Sequence, residues 1–254
     1  MQRCYTAKLR LVFVAVLATG FPLSTARAQT GVSAPLDMHS SLSPEMRGDL
    51  AMARQQYLAA IDAYREAPAD SAVIWNKLGM AYHHLFAMDE AKRDYQRALR
   101  LRRDYPEALN NLGAIYYGKG DFRKAEKYYA RALRLSDKSA AVYSNLGTAY
   151  FAERKAAQGL AAYRTAFALD PHVFEDSLPQ LVTESLPARA RAQQDYCLAE
   201  VFAQAGHYDR AIDFLRKALN EGFDDRKKIL EDQTLASLRA LPAFTQLMTE
   251  QQAH

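Results

Sequence analysis

Trp75-Asn76-Lys77-Leu78-Gly79-Met80-Ala81-Tyr82 returns as Leu109-Asn110-Asn111-Leu112-Gly113-Ala114-Ile115-Tyr116, and again as Tyr143-Ser144-Asn145-Leu146-Gly147-Thr148-Ala149-Tyr150, each copy 34 residues after the last. A fixed period of this length is the mark of a repeat architecture. The second halves keep it too: Ala91, Tyr95 and Ala98 recur as Ala125, Tyr129 and Ala132, then as Gly159, Tyr163 and Ala166. In each copy a large residue, then Leu-Gly, then Tyr fall three to four apart, which aligns them on one face of a first helix. The Ala, aromatic, Ala series does the same on a second helix. Small residues let the two backbones approach and the aromatics fill the space beside them. A helix pair of this kind leaves an apolar face uncovered and must stack on a neighbour, so an all-α solenoid of antiparallel helix pairs follows.

Weaker copies flank the three strong ones. At 192–225, Leu198, Ala199, Phe202, Gly206, Tyr208, Ala211, Leu215 and Ala218 fall on the same positions, and at 41–71 a degenerate unit keeps Gly48, Ala60, Tyr64 and Ala67 before Pro68 ends it about three residues early. Within the copy at 140–173, Gly159 replaces the Ala of the second helix and Arg154 the Gly of the inter-helix turn, which predicts the most mobile unit of the three. Residues 174–191, with Pro179 and Pro187, interrupt the array as a spacer, either a loop or a short helix. The tail at 226–254 carries Leu235, Leu238, Leu241, Phe244 and Leu247 on one helical side and predicts a terminal cap over the last unit. Residues 29–40 have no periodicity and are expected to be a flexible lead-in.

The N-terminus has the pattern of an export signal. Arg3, Lys8 and Arg10 supply a positive start, Leu11 to Leu17 an apolar stretch too short to span a bilayer, and Ala26-Arg27-Ala28 a cleavage site. Residues 1–28 are therefore expected to be removed, placing the mature protein in the periplasm or outside the cell. The chain holds 33 basic and 29 acidic residues, and four of the basic ones (Arg3, Lys8, Arg10, Arg27) leave with the leader, so the mature chain is neutral overall. Bulk charge gives no reason to expect nucleic-acid binding. Cys4 leaves as well, so Cys197 cannot form an internal disulfide, and its neighbours Leu198 and Val201 point to a half-buried small hydrophobe.

The residues carry no catalytic signature: no Gly-rich phosphate loop, H-E-x-x-H, G-x-S-x-G or paired-cysteine spacing. Neighbouring His83 and His84 point about 100 degrees apart on a helix, a poor geometry for one metal ion. The acid pairs Asp89-Glu90, Glu175-Asp176, Asp224-Asp225 and Glu231-Asp232 sit at helix starts or turns, where negative charge suits the helix dipole. No cofactor and no enzymatic activity are expected. A more pointed pattern is Arg93, Arg97 and Arg100, matched 34 residues later by Lys127, Arg131 and Arg134. Stacking makes these a candidate basic patch, and a solvated outer surface offset by Asp94 and Glu126 is its plain reading.

The 34-residue unit resembles the tetratricopeptide repeat (TPR), of the form W-x2-L-G-x2-Y, then A-x3-F, then A, then P. The resemblance covers 72–105, 106–139 and 140–173, the last closing with Asp170-Pro171. It implies a right-handed superhelix whose first helices line a concave groove, and a non-catalytic scaffold that holds a protein or peptide. It nominates as groove residues Asn76, Lys77, Met80, His83 and His84, then Asn110, Asn111, Ala114 and Tyr117, then Ser144, Asn145, Thr148 and Phe151. Asn side chains suit a peptide backbone because each offers a donor and an acceptor. Asn111 and Asn145 are expected to stand in a row, with Tyr117 and Phe151 as apolar anchors. Some family members clamp a C-terminal carboxylate; only Asn111 matches here, with Ala141, Asn145, Asn76 and Met80 standing where other clamp residues are expected, so that mode is not carried over. Two further readings compete: an envelope accessory or redox role for Cys197, and docking of the basic patch on a membrane surface.

Overall fold

In the computed structural model, residues 42–174 and 186–250 are described, and they are helical throughout, with no strand among them. The helices come in pairs: α1 (Pro44–Ala53) with α2 (Tyr57–Arg65), α3 (Ala72–His84) with α4 (Met88–Leu101), α5 (Pro106–Gly118) with α6 (Phe122–Leu135), α7 (Ala140–Ala152) with α8 (Ala156–Leu169), and α9 (Ala188–Gln204) with α10 (Tyr208–Asn220). Each pair packs most extensively within itself, and each second helix then packs on the first helix of the next pair. This is the expected solenoid. First helices of neighbouring units also touch one another, as α3 does α5 and α5 does α7, and second helices do so less. The array therefore curves with the first helices inside.

The helix starts are written locally. Ser43, Ser71, Asp121 and Ser139 each accept a hydrogen bond from the backbone N–H three residues on, which satisfies one of the donors a helix leaves open at its N-terminus. Between paired helices the chain turns through one residue in the left-handed region: Gln55, Phe86, Gly120, Arg154 and Gly206, with φ of 57, 58, 75, 59 and 80°. Arg154 thus makes the turn that Gly120 makes one unit earlier.

Inside each pair a single contact repeats. A Cβ built on Gly48, Gly79, Gly113 or Gly147 would lie 2.2, 2.5, 2.6 or 2.4 Å from a ring atom of Tyr64, Tyr95, Tyr129 or Tyr163 respectively. The four rings are at most 2% exposed. A buried aromatic ring removes roughly 150–250 Å² from water, which at ~25 cal/mol per Å² is worth about 4–6 kcal/mol before entropy is counted. In the fifth unit the same two positions hold Ala199 and Leu215, both fully buried, so a small gain on one helix is offset by a smaller partner on the other.

Gly159 follows similar logic. Its missing Cβ would lie 2.7 Å from the Phe151 ring, which fills the site that Ala occupies in the neighbouring units. The glycine is a packing residue, and this accounts for a departure that the sequence pattern attributes to looseness.

The first unit is short because α2 ends at Arg65, before Pro68. Helix α9 begins at Ala188, inside the stretch assigned to the spacer, and the rest of that spacer over 175–185 lies outside the described residues, as do the leader and the lead-in. The tail is not one continuous apolar helix. A short α11 (Arg226–Glu231), two 3-10 turns (Gln233–Leu235 and Leu238–Ala240) and α12 (Pro242–Glu250) follow one another. Asp232 stops α11 and caps the next turn through Thr234, and Pro242 starts α12. Ile229, Leu235, Leu238, Phe244 and Leu247 are buried in the cluster that α9 and α10 share, so the tail does cap the array.

The packing predicts that Gly113→Ala lowers stability by about 1–3 kcal/mol, as overpacking does, and that adding Tyr129→Leu, which copies the fifth unit, recovers part of the loss. Urea denaturation of the single and double variants checks both signs.

Candidate partner-binding surface

The inner face of the first helices carries a hydrogen-bonded row that crosses unit boundaries. Gly48 stands 31 residues before Gly79, so Glu45, Met46 and Asp49 of α1 hold the positions of Asn76, Lys77 and Met80 in α3. Lys77 Nζ donates to Glu45 Oε1 and Asp49 Oδ2, both at 2.7 Å. One unit on, Asn111 Nδ2 donates to Asn76 Oδ1 at 3.1 Å, and Asn145 Nδ2 to Asn110 Oδ1 at 2.9 Å. The Lys77–Glu45, Asn111–Asn76 and Asn145–Asn110 bonds each run from one inner position to the preceding inner position of the unit before. Asn110 Nδ2 closes the row by donating to Asn111 Oδ1 at 3.5 Å. Burial lowers the Lys77 pKa, but the hydrogen bonds and charges of Asp49 and Glu45 outweigh it and raise the value overall.

The expected groove residues divide into two groups. Lys77, Met80, His83, Asn110, Asn111, Ala114 and Asn145 are half-buried or exposed on this face. Asn76, Ser144 and Thr148 are buried; the Thr148 hydroxyl meets the Tyr163 hydroxyl at 2.8 Å and donates to the Ser144 carbonyl at 3.0 Å. Tyr117 and Phe151, expected as anchors for a partner, are 2% and 1% exposed. Tyr117 lies against Phe122 with ring centroids 5.2 Å apart, and Phe151 against Tyr163 at the same separation. They are core residues. Leu186, just ahead of α9, belongs to the cluster that contains Tyr117, Tyr129 and Leu146, so the chain itself closes this end of the face. The open part spans α1, α3 and α5, where Met46 and Met80 are 54% and 37% exposed. Met46, Glu45 and Asp49 are additions to the expected set, hidden in the sequence by the 31-residue offset.

His83 packs edge-on against Tyr95 and burial lowers its pKa, whereas His84 stacks on Tyr57 with ring centroids 4.7 Å apart. The two side chains take different neighbours. Among the described residues, no group of three or more His, Cys, Asp or Glu is placed to hold a metal ion.

The expected basic patch is partly engaged. Arg93 pairs with Glu90 at 2.7 Å, Arg97 lies 4.2 Å over the Trp75 ring, and Arg131 donates to the Arg103 carbonyl at 2.7 Å. Arg100, Lys127 and Arg134 are exposed. Cys197 is 2% exposed, and burial, with Glu200 beside it, pushes its thiol up to about 12. A reactive thiol needs the opposite surroundings, exposed and electropositive. The redox reading of Cys197 is corrected accordingly: it is a packing residue.

Three family models of the tetratricopeptide repeat match residues 70–138, 112–174 and 198–228, together covering more than half of the chain. The chain is a TPR protein. Solved structures similar to this TPR array include the MamA protein, at 20% identity and a TM-score of 0.48 over 75% of this chain and 93% of that one. BtubC from P. vanneervenii is 23% identical, with a TM-score of 0.48 over 70% and 78% of the two chains. PilF from Pseudomonas aeruginosa is 17% identical, with a TM-score of 0.52 over 82% and 96%. At such identities the comparison speaks to the fold alone. A search of curated proteins found no match.

The hydrogen-bonded row predicts that Asn111→Ala with Asn145→Ala, which removes the two cross-unit amide bonds and the longer Asn110–Asn111 contact, lowers unfolding free energy by about 1–3 kcal/mol, read as a shift in urea midpoint. Thiol titration of the native protein should leave Cys197 unmodified, with full reaction only after unfolding.

Proposed function

We propose that this TPR protein is a non-catalytic scaffold of the cell envelope that holds a peptide or partner protein on the inner face of α1, α3 and α5. The fold itself points to protein–protein interaction. The observation that carries the finer reading is the inner row: half-buried Asn111 on α5 is held by Asn76 and Asn110 and Asn145 on α7 continues the row, leaving donor and acceptor capacity on the amides, while Met46 and Met80 stand exposed on α1 and α3. Fixed amides recognise backbone without losing side-chain entropy, and methionine adapts to varied apolar side chains. The envelope assignment rests on the leader pattern of residues 1–28.

A photoreactive residue at Met80 is expected to crosslink a discrete partner in intact cells, and one at exposed Thr165, on a second helix, is not. Crosslinking from Thr165 with none from Met80 would place the working surface elsewhere. N-terminal sequencing of the recovered protein is expected to begin at Gln29, and recovery of a cytoplasmic form beginning at Met1 would remove the envelope part.

A further inference from the structure

The surface that the inner-face reading leaves unused is an edge where the second helices end. Leu101, Leu135 and Leu169 close α4, α6 and α8 at the same register, and they are 47, 42 and 40% exposed. Single exposed leucines are ordinary. These recur unit by unit, and the first two are set among cations: Arg100, Arg102, Arg103, Arg131, Arg134 and Lys138, against Asp104 and Asp137. One basic residue near each helix end would offset the helix dipole; this edge carries several more. The structure also joins the two clusters physically. Arg131 of α6 donates to the Arg103 carbonyl and lies 3.6 Å from Asp104, which draws the end of α4 and the end of α6 together and leaves Asp104 partnered. Arg102 is stacked 3.4 Å from the Tyr105 ring centroid. Arg100, Arg103, Arg134 and Lys138 remain exposed.

We propose that this edge, formed by the ends of α4 and α6 and the loops after them, docks the protein on an anionic lipid surface. Leu101 and Leu135 enter the headgroup boundary, and Arg100, Arg103, Arg134 and Lys138 meet lipid phosphates. The chemistry fits a field of head groups better than a single acidic chain: the edge sets phosphate-pairing cations beside apolar tips, whereas a bound chain also needs partners for its backbone, which on the proposed reading the inner face supplies. Clustered cations beside exposed apolar side chains are the two signals that together hold a protein at a membrane interface. Among the described residues no helix is long and apolar enough to cross a membrane. The edge differs from the patch expected from sequence, because Arg93 and Arg97 are occupied by Glu90 and Trp75 and the leucines were not part of that patch.

Vesicle cosedimentation tests this with the full mature chain, using phosphatidylglycerol mixed with phosphatidylcholine against phosphatidylcholine alone. Binding is expected only to the anionic vesicles and is expected to weaken as salt rises. Arg103→Gln with Lys138→Gln should lower the partition coefficient about thirtyfold, the ordinary worth of two basic residues at such a surface, with unchanged helix content and melting curve. Leu101→Ser with Leu135→Ser should remove the part of binding that survives high salt. Three results would overturn the proposal: no binding to the anionic vesicles at low salt, binding that the glutamine pair leaves intact, or binding of a polyglutamate peptide that the glutamine pair abolishes and the serine pair does not touch.

Discussion

A tyrosine ring lying where a glycine has no side chain is the contact on which the rest of this array depends. In α1/α2, α3/α4, α5/α6 and α7/α8 the ring of the second helix occupies the space of the missing Cβ on the first. That approach sets the distance between paired helices, and through it the position of every residue on the first helix relative to the next unit. The fifth unit shows that the constraint concerns volume and not particular residues, since Ala199 and Leu215 fill the same two positions. Phe151 against Gly159 is a local second use of the same device.

The fixed spacing has a consequence on the inner face. Because successive first helices lie at a constant offset, one donor per unit meets the preceding unit's acceptor, and the row Lys77–Glu45, Asn111–Asn76, Asn145–Asn110 results. These side chains serve stacking, and on the proposed reading they also face the partner. A solenoid gains stability from neighbour contacts as well as from single units, so the bonds that fix the amides also contribute to the body that carries them.

The repeat, the helix pairing and the small-residue contacts were legible in the sequence because they recur at a fixed period, and period is a local property. What the period did not carry was the fate of individual inner positions. Met80 stays open, yet Thr148, at the same register, is held by Tyr163, and Phe151 is sealed by Gly159 and its neighbours. Tyr117 is buried in a cluster that includes Leu186, a residue about seventy positions away and outside any repeat. The cross-unit hydrogen bonds join positions that are not equivalent, so a comparison of equivalent residues could not find them. Glu45 and Asp49 were hidden for a different reason: the first unit is three residues short, and alignment at the full period shifts them off the inner face. The burial of Cys197 followed from its neighbours only in part, since the cluster that holds it also takes in Ile229, Leu235 and Leu238 of the terminal cap.

If the contacts within and between units govern stability, α3 to α8 open as one body. Native-state hydrogen exchange at increasing urea measures this directly. Amides buried in the middle of α3, α5 and α7 are expected to converge on one opening free energy well below the unfolding midpoint, with fraying confined to the helix ends and to the short first unit. Separate opening free energies for each helix pair, keeping their differences up to the midpoint, would contradict it and would make the inner row a surface decoration.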